Sequence, residues 1–171
     1  MDRGDQEAFL KAYDELADAL YRHCFFRVYS KARAQELMQE AFMKAWKYAT
    51  SAGKPIQNLR AFLYKIANNL IIDESRKHKE ESLEVLMEQS DANEPSHDGR
   101  ADLEKDMLIA DIKLVMIELD ADTQQILTYR FIDDLEPKEI ADILEITPNN
   151  ASVRLNRALQ TLKTYLHGKT D

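Results

Sequence analysis

The sequence predicts an all-α protein with two small helical domains joined by a flexible linker, the second domain containing a helix-turn-helix. Apolar residues recur at helical spacing through most of the chain, and no segment shows the alternation of a half-buried strand. Only four Gly and four Pro occur among 171 residues, so few positions interrupt a helix. The periodicity is lost after residue 81 in a polar, acidic stretch. We therefore expect domains at residues 1–80 and 107–171, with an acidic linker over residues 81–106.

Three amphipathic helices are expected in the first domain. The first lies within residues 6–29, where aromatic residues recur on one face, and the second follows Lys31 through AQELMQEAFMKAWKYA. Asn58, a residue type that caps helix N-termini, precedes the third. The outer face of this third helix combines rings, amides and cations. That mixture suits a nucleic-acid strand, because rings stack on bases and cations follow phosphates.

Four helices are expected in the second domain. Asp122 is predicted to cap the second of them, TQQILTYRFIDD, which ends at Asp133 and Asp134 in a solvated acidic turn. The inward face of the first helix is predicted to consist of Met107, Leu108, Ile109, Ile112, Val115, Met116 and Leu119.

The last two helices lie in residues 137–163, PKEIADILEITPNNASVRLNRALQTLK. Thr147 and Pro148 supply an N-cap and a proline at the first helical position, where its missing N–H costs nothing. The helix that follows has an apolar face and an opposite face of amides, hydroxyls and cations without a carboxylate. Such a helix, placed by a short preceding helix, suits the major groove of DNA. A helical hairpin within an all-α core explains the same pattern.

The net charge of −8 is unevenly distributed along the chain. Residues 82–106 and 107–146 carry −6 and −7, whereas residues 1–81 and 147–171 carry +2 and +3. The negative charge therefore lies in the linker and the supporting helices, while the expected reading helix is positive. Such asymmetry says more about nucleic-acid binding than the total does.

Several protein classes are disfavoured by composition. The single Cys24 cannot form an internal disulfide, which fits a cytoplasmic location. No apolar run approaches the ~20 residues of a membrane span, so no membrane insertion is expected. The four histidines lack metal-ligand spacing, and neither a Gly-rich phosphate loop nor a Ser–His–Asp set occurs. We therefore expect no catalytic residues, no metal and no cofactor, and a protein that is not an enzyme.

The segments MQEAFMKAW, AFLYKIANNLIIDESRK and QQILTYRF followed by the hairpin occur in this order around a polar linker. They resemble the extracytoplasmic-function (ECF) group of bacterial RNA polymerase sigma factors over about residues 8–80 and 107–166. The resemblance implies a protein that binds core RNA polymerase and directs promoter-specific transcription initiation. Its first domain would recognise and melt the −10 promoter element, and its second would read the −35 element.

The resemblance also implies binding sites. The helix over residues 35–48 would grip the β′ clamp helices of the polymerase through Leu37, Gln39, Glu40 and Phe42. The −10 element would be contacted by Asn68, Asn69, Arg76 and Lys77. The −35 element would be contacted by Asn150, Ser152, Val153, Asn156 and Arg157. Arg154 is expected nearer the apolar face, in a structural role or on a phosphate. An anti-sigma factor is a further implied partner.

Four departures from the family pattern concern these sites. Phe62 stands where Trp is frequent, and Ser152 replaces a usual Lys or Arg. Glu145 occupies the turn position where Gly is common, so a strained or altered turn is expected. The loop over residues 50–58 lacks an aromatic residue, which predicts a polar −10 base pocket.

Two other functions remain open from the residues. One is a one-component helix-turn-helix regulator whose N-terminal module senses a ligand or dimerises; the hairpin suits it equally well, but the segments at 35–48 and 62–79 do not. The other is a regulatory protein that mimics a sigma factor without initiating transcription. A contact between the acidic 107–146 surface and the basic 76–79 end of the third helix is an alternative to control by an anti-sigma factor.

Overall fold

The computed structural model describes residues 3–51, 56–84 and 100–168. Within these ranges it contains seven α-helices, one π-helical turn and no strand, which confirms the predicted fold class. The helices are α1 (Arg3–Val28), α2 (Lys31–Ser51), α3 (Leu59–Glu84), α4 (Arg100–Met116), α5 (Ala121–Leu127), α6 (Pro137–Leu144) and α7 (Pro148–Gly168), with the π-turn at Thr128–Ile132 between α5 and α6.

The first domain is the predicted three-helix unit. α1 packs on α2 through aromatic rings, with centroids 5.0 Å apart for Phe9 and Trp46 and 4.7 Å apart for Tyr13 and Phe42. The predicted cap of α3 is present, because the Oδ1 atom of Asn58 accepts a hydrogen bond from the backbone N–H of Ala61 at 3.0 Å. α2 also packs on α3, where the ring centroids of Tyr48 and Phe62 lie 5.0 Å apart.

The cap of α5 differs from the prediction. Asp120, not Asp122, caps the helix: its carboxylate accepts hydrogen bonds from the backbone N–H and the hydroxyl of Thr123, at 2.9 and 2.6 Å. The helix therefore begins two residues earlier than expected, with Asp122 in its first turn. The hydrogen bonds from Thr123 hold the pKa of Asp120 below its ordinary value.

The π-turn changes the predicted end of this helix. The backbone N–H of Asp133 donates to the carbonyl of Thr128, five residues back, at 3.0 Å. The wider turn accommodates one more residue than an α-turn does. Asp133 consequently points inward and is buried, whereas the side chain of Asp134 is 96% exposed. The prediction of a solvated Asp133 was wrong.

Helix α4 differs from the prediction in extent and in orientation. It begins at Arg100 and α3 continues to Glu84, so both ends of the predicted linker are helical. Leu, Glu and Lys in this stretch are good helix formers, which explains the extension. Residues 85–99 and 52–55 lie outside the described residues. Leu119 is buried as predicted, but Met107 and Leu108 are 62% and 60% exposed, so their predicted inward orientation was wrong.

The two domains share one apolar cluster. Tyr64 of α3 and Tyr129 of the π-turn are both fully buried, with ring centroids 6.1 Å apart. Leu135, just after the π-turn, is also fully buried. The contact joins α1 and α3 of the first domain to the π-turn and α6 of the second. The functional surfaces of the two domains are therefore positioned relative to each other by packed side chains.

Candidate nucleic-acid interface

Helix α6 is the supporting helix of the predicted helix-turn-helix. It begins with a capping box in which the backbone N–H of Glu136 donates to the carboxylate of Glu139 at 2.9 Å, followed by Pro137. Ile140 and Ala141 are buried, as the apolar pattern predicted. The capped start and the buried face fix the direction from which the chain enters the turn.

The turn after α6 keeps a left-handed geometry without glycine. Glu145 has φ 55° and ψ 43°, and the backbone N–H of the next residue, Ile146, donates to the carbonyl of Ala141 at 3.1 Å. A left-handed residue other than Gly costs about 1 kcal/mol or more, because its Cβ lies close to a backbone oxygen. Of the two expected outcomes, the structure shows strain at a residue that keeps the glycine-like conformation.

Helix α7 presents the predicted reading face. Thr147 caps it, because its Oγ1 accepts a hydrogen bond from the backbone N–H of Asn150 at 3.2 Å. The apolar side of α7 is buried against the domain through Ala151, Leu155 and Ala158. The outer side carries the five predicted −35 positions: Asn150, Val153, Asn156 and Arg157 are exposed, and Ser152 is half-buried with its hydroxyl donating to the carbonyl of Pro148.

Arg154 lies on the exposed side and not against the apolar face. Its Nε donates to the Oδ1 atom of Asn150 at 3.2 Å. That hydrogen bond leaves the amide N–H₂ of Asn150 to donate outward. Together with Arg157 and Lys163, Arg154 makes α7 a helix whose charged side chains are all basic.

The predicted −10 residues lie on different faces of α3. Asn69, Arg76 and Lys77 are exposed, whereas Asn68 is only 8% exposed. The Oδ1 atom of Asn68 accepts a hydrogen bond from Nη1 of Arg27 on α1 at 3.2 Å. Burial lowers the pKa of the Arg27 guanidinium, which remains charged. Asn68 is therefore covered next to Arg27 of its own domain, and the other three are open.

The predicted polymerase-binding positions on α2 also fall into an exposed and a buried group. Gln39 and Glu40 are exposed, while Leu37 and Phe42 are buried in the first domain. Met43, which the sequence analysis did not select, is 55% exposed and lies one helical turn from Gln39 and Glu40. The spacing of three and four residues from Glu40 and Gln39 in the sequence already indicated that Met43 lies on the same face of α2.

A buried pair between the domains was missed by sequence reasoning. The Nδ1 atom of His23 on α1 lies 2.7 Å from the Oδ2 atom of Asp133, and both side chains are fully buried. The ring of Tyr129 stacks on His23 with centroids 5.2 Å apart, and Tyr64 meets it edge-on at 5.1 Å. A separation of 110 residues leaves no local pattern that could have revealed this pair.

Two ion pairs lie at the rim of the same contact. Nη1 of Arg60 is 3.0 Å from the carboxylate of Glu139, and Nζ of Lys65 is 2.5 Å from that of Glu145. The acidic second domain thus meets the N-terminal half of α3; at the predicted basic end, Arg76 and Lys77 are exposed, and the side chains of residues 78 and 79 lie outside the described ones. The reason is that the aromatic contact of Tyr64 determines where the charged residues can meet.

The described residues contain no group of three or more His, Cys, Asp or Glu side chains able to hold a metal ion. Among the same residues, no helix has the length and apolar character needed to cross a membrane.

Comparison with known proteins agrees with this division of the chain. The family model for Sigma-70 region 2 matches residues 12–81, and that for Sigma-70 region 4 matches residues 109–162. The ECF RNA polymerase sigma factor SigL of Mycobacterium tuberculosis is 28% identical over 94% of this chain and 90% of its own length. BldN of Streptomyces coelicolor, also an ECF sigma factor, is 26% identical over 95% of this chain, which spans 62% of BldN.

A solved structure shares the fold. The sigma factor RpoE from Bartonella quintana, determined in complex with the anti-sigma factor NepR, matches 94% of this chain and 98% of its own, with a TM-score of 0.69 and 23% identity.

Proposed function

The chain belongs to the extracytoplasmic-function sigma factors of RNA polymerase, and we propose how its surfaces divide the work of promoter-directed transcription initiation. In this proposal it acts by binding, without a catalytic site, in the cytoplasm where polymerase and promoter DNA occur. The alternative of a one-component regulator accounts for the helix-turn-helix alone. Both domains match the sigma-factor models, so the alternative is not favoured.

The outer face of α7 carries the proposal for the −35 element. Asn150, Asn156 and Arg157 are exposed hydrogen-bonding side chains on a helix that is free of carboxylates. Amide and guanidinium groups pair with the edges of adenine and guanine in the major groove. The cap at Thr147 and the strained turn at Glu145 hold this helix at a fixed angle to α6, so the side chains arrive at the bases preorganised.

The polar face of α3 supports the proposal for the −10 element. Asn69 is the exposed base-reading residue, with Arg76 and Lys77 as phosphate contacts. Asn68 contacts the −10 element together with these three residues once its side chain becomes exposed. Holding unstacked bases costs a few kcal/mol, which pocket and stacking contacts on the protein must offset.

The exposed face of α2 supports binding to the β′ clamp helices of core polymerase. Gln39 and Glu40 supply polar contacts, and Met43 adds apolar area beside them. Leu37 and Phe42 act in this proposal from the core, where they fix the surface that α2 presents. An anti-sigma factor is proposed as a further partner, because the structurally similar RpoE was solved in complex with one.

Run-off transcription with core polymerase tests the proposal. Transcripts from a matched promoter should require this chain, and they should be lost when Asn156 and Arg157 are both changed to Ala. Lys11→Ala, which removes an exposed cation from α1, is the control. No promoter-specific transcript with the wild-type chain on any promoter recovered by selection would overturn the assignment.

Binding to core polymerase is tested separately. Gln39→Ala with Glu40→Ala should weaken the complex without lowering helicity or melting temperature, since neither side chain is buried. Glu15→Ala on α1 serves as the control for loss of one exposed carboxylate. Equal polymerase binding by the wild type and the double variant would remove α2 from the interface.

A further inference from the structure

We infer that the buried pair of His23 and Asp133 is a latch that holds the second domain closed over one face of α3, and that its release uncovers Asn68. The closed contact is independent of any assigned function. Its consequence for promoter DNA rests on the proposed role of Asn68 in −10 recognition.

The pair has the properties of a contact that can open. His23 and Asp133 are completely buried, yet the Nε2 atom of the one and the Oδ1 atom of the other have no hydrogen-bond partner among the described residues. A buried pair with incomplete hydrogen bonding gains little over an apolar contact of the same shape. When the domains separate, both groups regain water. The closed form is therefore specific without being strongly favoured.

Loss of one partner should have a large effect. A buried polar side chain left without its hydrogen-bond partner is destabilising, because its desolvation is no longer offset, whereas removal of both partners can be nearly neutral. Opening of the domains relieves that penalty without unfolding either one. The single variants are thus expected to favour the open form, whereas removal of both groups should restore part of the closed population.

Arg27 connects the latch to Asn68. Its guanidinium donates to Asn68 and interacts electrostatically with Tyr129 and Asp133 of the second domain. Asn68 is therefore held by Arg27 of its own domain, and the electrostatic attraction between Arg27 and Asp133 reaches across the contact between the domains. Separation of the domains removes that attraction.

The covered face of α3 is continuous. Arg60, Tyr64 and Asn68 follow one another at successive helical turns, and Lys65 lies beside them. The first two and Lys65 meet the second domain directly, at Glu139, Tyr129 and Glu145, while Asn68 is reached through Arg27. The rim pairs are half-exposed and screened by salt, so the buried pair is the contact that salt affects least.

Fluorescence energy transfer between one dye on each domain tests the latch in the full chain. Lys44→Cys on α2 and Gln160→Cys on α7 provide exposed labelling sites. The native Cys24 does not compete, because it is buried and its pKa is raised to about 12. Asp133→Ala and His23→Ala should each raise the population with separated dyes by at least about tenfold.

Asp134→Ala is the matched control, since it removes a neighbouring carboxylate that is almost fully exposed. It should leave the dye distance unchanged. The double variant His23→Ala with Asp133→Ala should open less than either single variant. If Asp133→Ala alone unfolds, Asp133→Asn keeps the shape and an acceptor and should open to a smaller extent. Dye distances in a folded Asp133→Ala protein that equal those of Asp134→Ala would overturn the latch.

A second readout separates this inference from the proposed function. A short single-stranded oligonucleotide rich in adenine and thymine should bind the opened variants more tightly than the wild type, and Asn68→Ala should remove that gain. Separated dyes without any gain in oligonucleotide binding would support the latch and contradict the role of Asn68. An unchanged distance between the dyes, together with tighter oligonucleotide binding, would contradict the latch and leave the −10 assignment standing.

Discussion

The two surfaces that we propose to read DNA, on α3 and on α7, differ in how they meet the rest of this sigma factor. The outer face of α7 is exposed along its length and is positioned by its own domain. On α3, Asn68 is buried beside Arg27 of α1, although Asn69 next to it is open. The proposed −35 surface is thus accessible in the folded chain, whereas the proposed −10 surface is accessible only in part.

The difference follows from what each helix has to bury. On α7, Ala151, Leu155 and Ala158 are buried within its own domain, while Val153 stays 39% exposed on the polar face. On α3, Tyr64 lies between Arg60 and Asn68 and is buried against His23 of α1 and Tyr129 of the π-turn. Burial of this ring against Tyr129 brings the second domain close to the polar residues beside it. The outer face of α7 at residues 150–157 carries no aromatic ring and remains open.

The largest expected effect concerns Tyr129. Tyr129→Ala should lower the free energy of unfolding by about 3 kcal/mol, because a fully buried ring is removed from the contact between the domains. Phe131→Ala, three-fifths exposed on the same turn, should change it by about 0.5 kcal/mol or less. Urea titration followed by circular dichroism measures both. Equal losses at the two positions would mean that the domain contact is not what stabilises the π-turn.

A smaller effect is expected on the open surface. Arg157→Ala should weaken −35 recognition by about 1–3 kcal/mol and leave the free energy of unfolding nearly unchanged. The measurement belongs in the holoenzyme at fixed salt, because a chain with a net charge of −8 contributes few phosphate contacts by itself. A variant that lost stability together with affinity would show that α7 is not as independent as its exposure suggests.

Glu145 offers a test in which strain and charge oppose each other. Glu145→Gly should stabilise the protein by about 0.5–1 kcal/mol, because relief of the left-handed strain exceeds the loss of a half-exposed ion pair. Lys65→Ala removes the same ion pair without changing the turn and should destabilise slightly or not at all. Thermal unfolding of both variants separates the contributions. A less stable Glu145→Gly protein would mean that the rim ion pair outweighs the strain.

The smallest expected effect is that of salt on the closed arrangement. Raising ionic strength from about 0.1 M to about 1 M shortens the screening length from roughly 10 to 3 Å and weakens the two rim pairs. Buried pairs are screened much less, so the small-angle scattering profile should keep its radius of gyration. Marked expansion with salt would show that the rim charges, and not the aromatic contact with its buried pair, hold the domains together.

Sequence reasoning succeeded where the signal was local. The caps at Asn58 and Thr147 and the apolar side of α7 depend on residues within a few positions of one another. The seven helices were predicted for the same reason.

Sequence reasoning failed where the contacting residue lies far away in the chain. Periodicity shows which residues of α4 share a face, but apolar residues occur all around this helix. The pattern therefore could not show that Met107 and Leu108 would remain outside. The role of Asp133 depended on a histidine 110 residues away and on a turn geometry without a sequence signature.

The π-turn at Thr128–Ile132 has a consequence for insertions and deletions. Deleting one residue there would restore ordinary α-helical spacing and rotate the chain beyond it by about 100°. Asp133 would then leave His23, even with every side chain at the contact unchanged. The number of residues in the π-turn therefore determines domain closure, separately from which residues it contains. Homologous chains that keep both a histidine and an aspartate but differ here by one residue would have lost the means to bring them together.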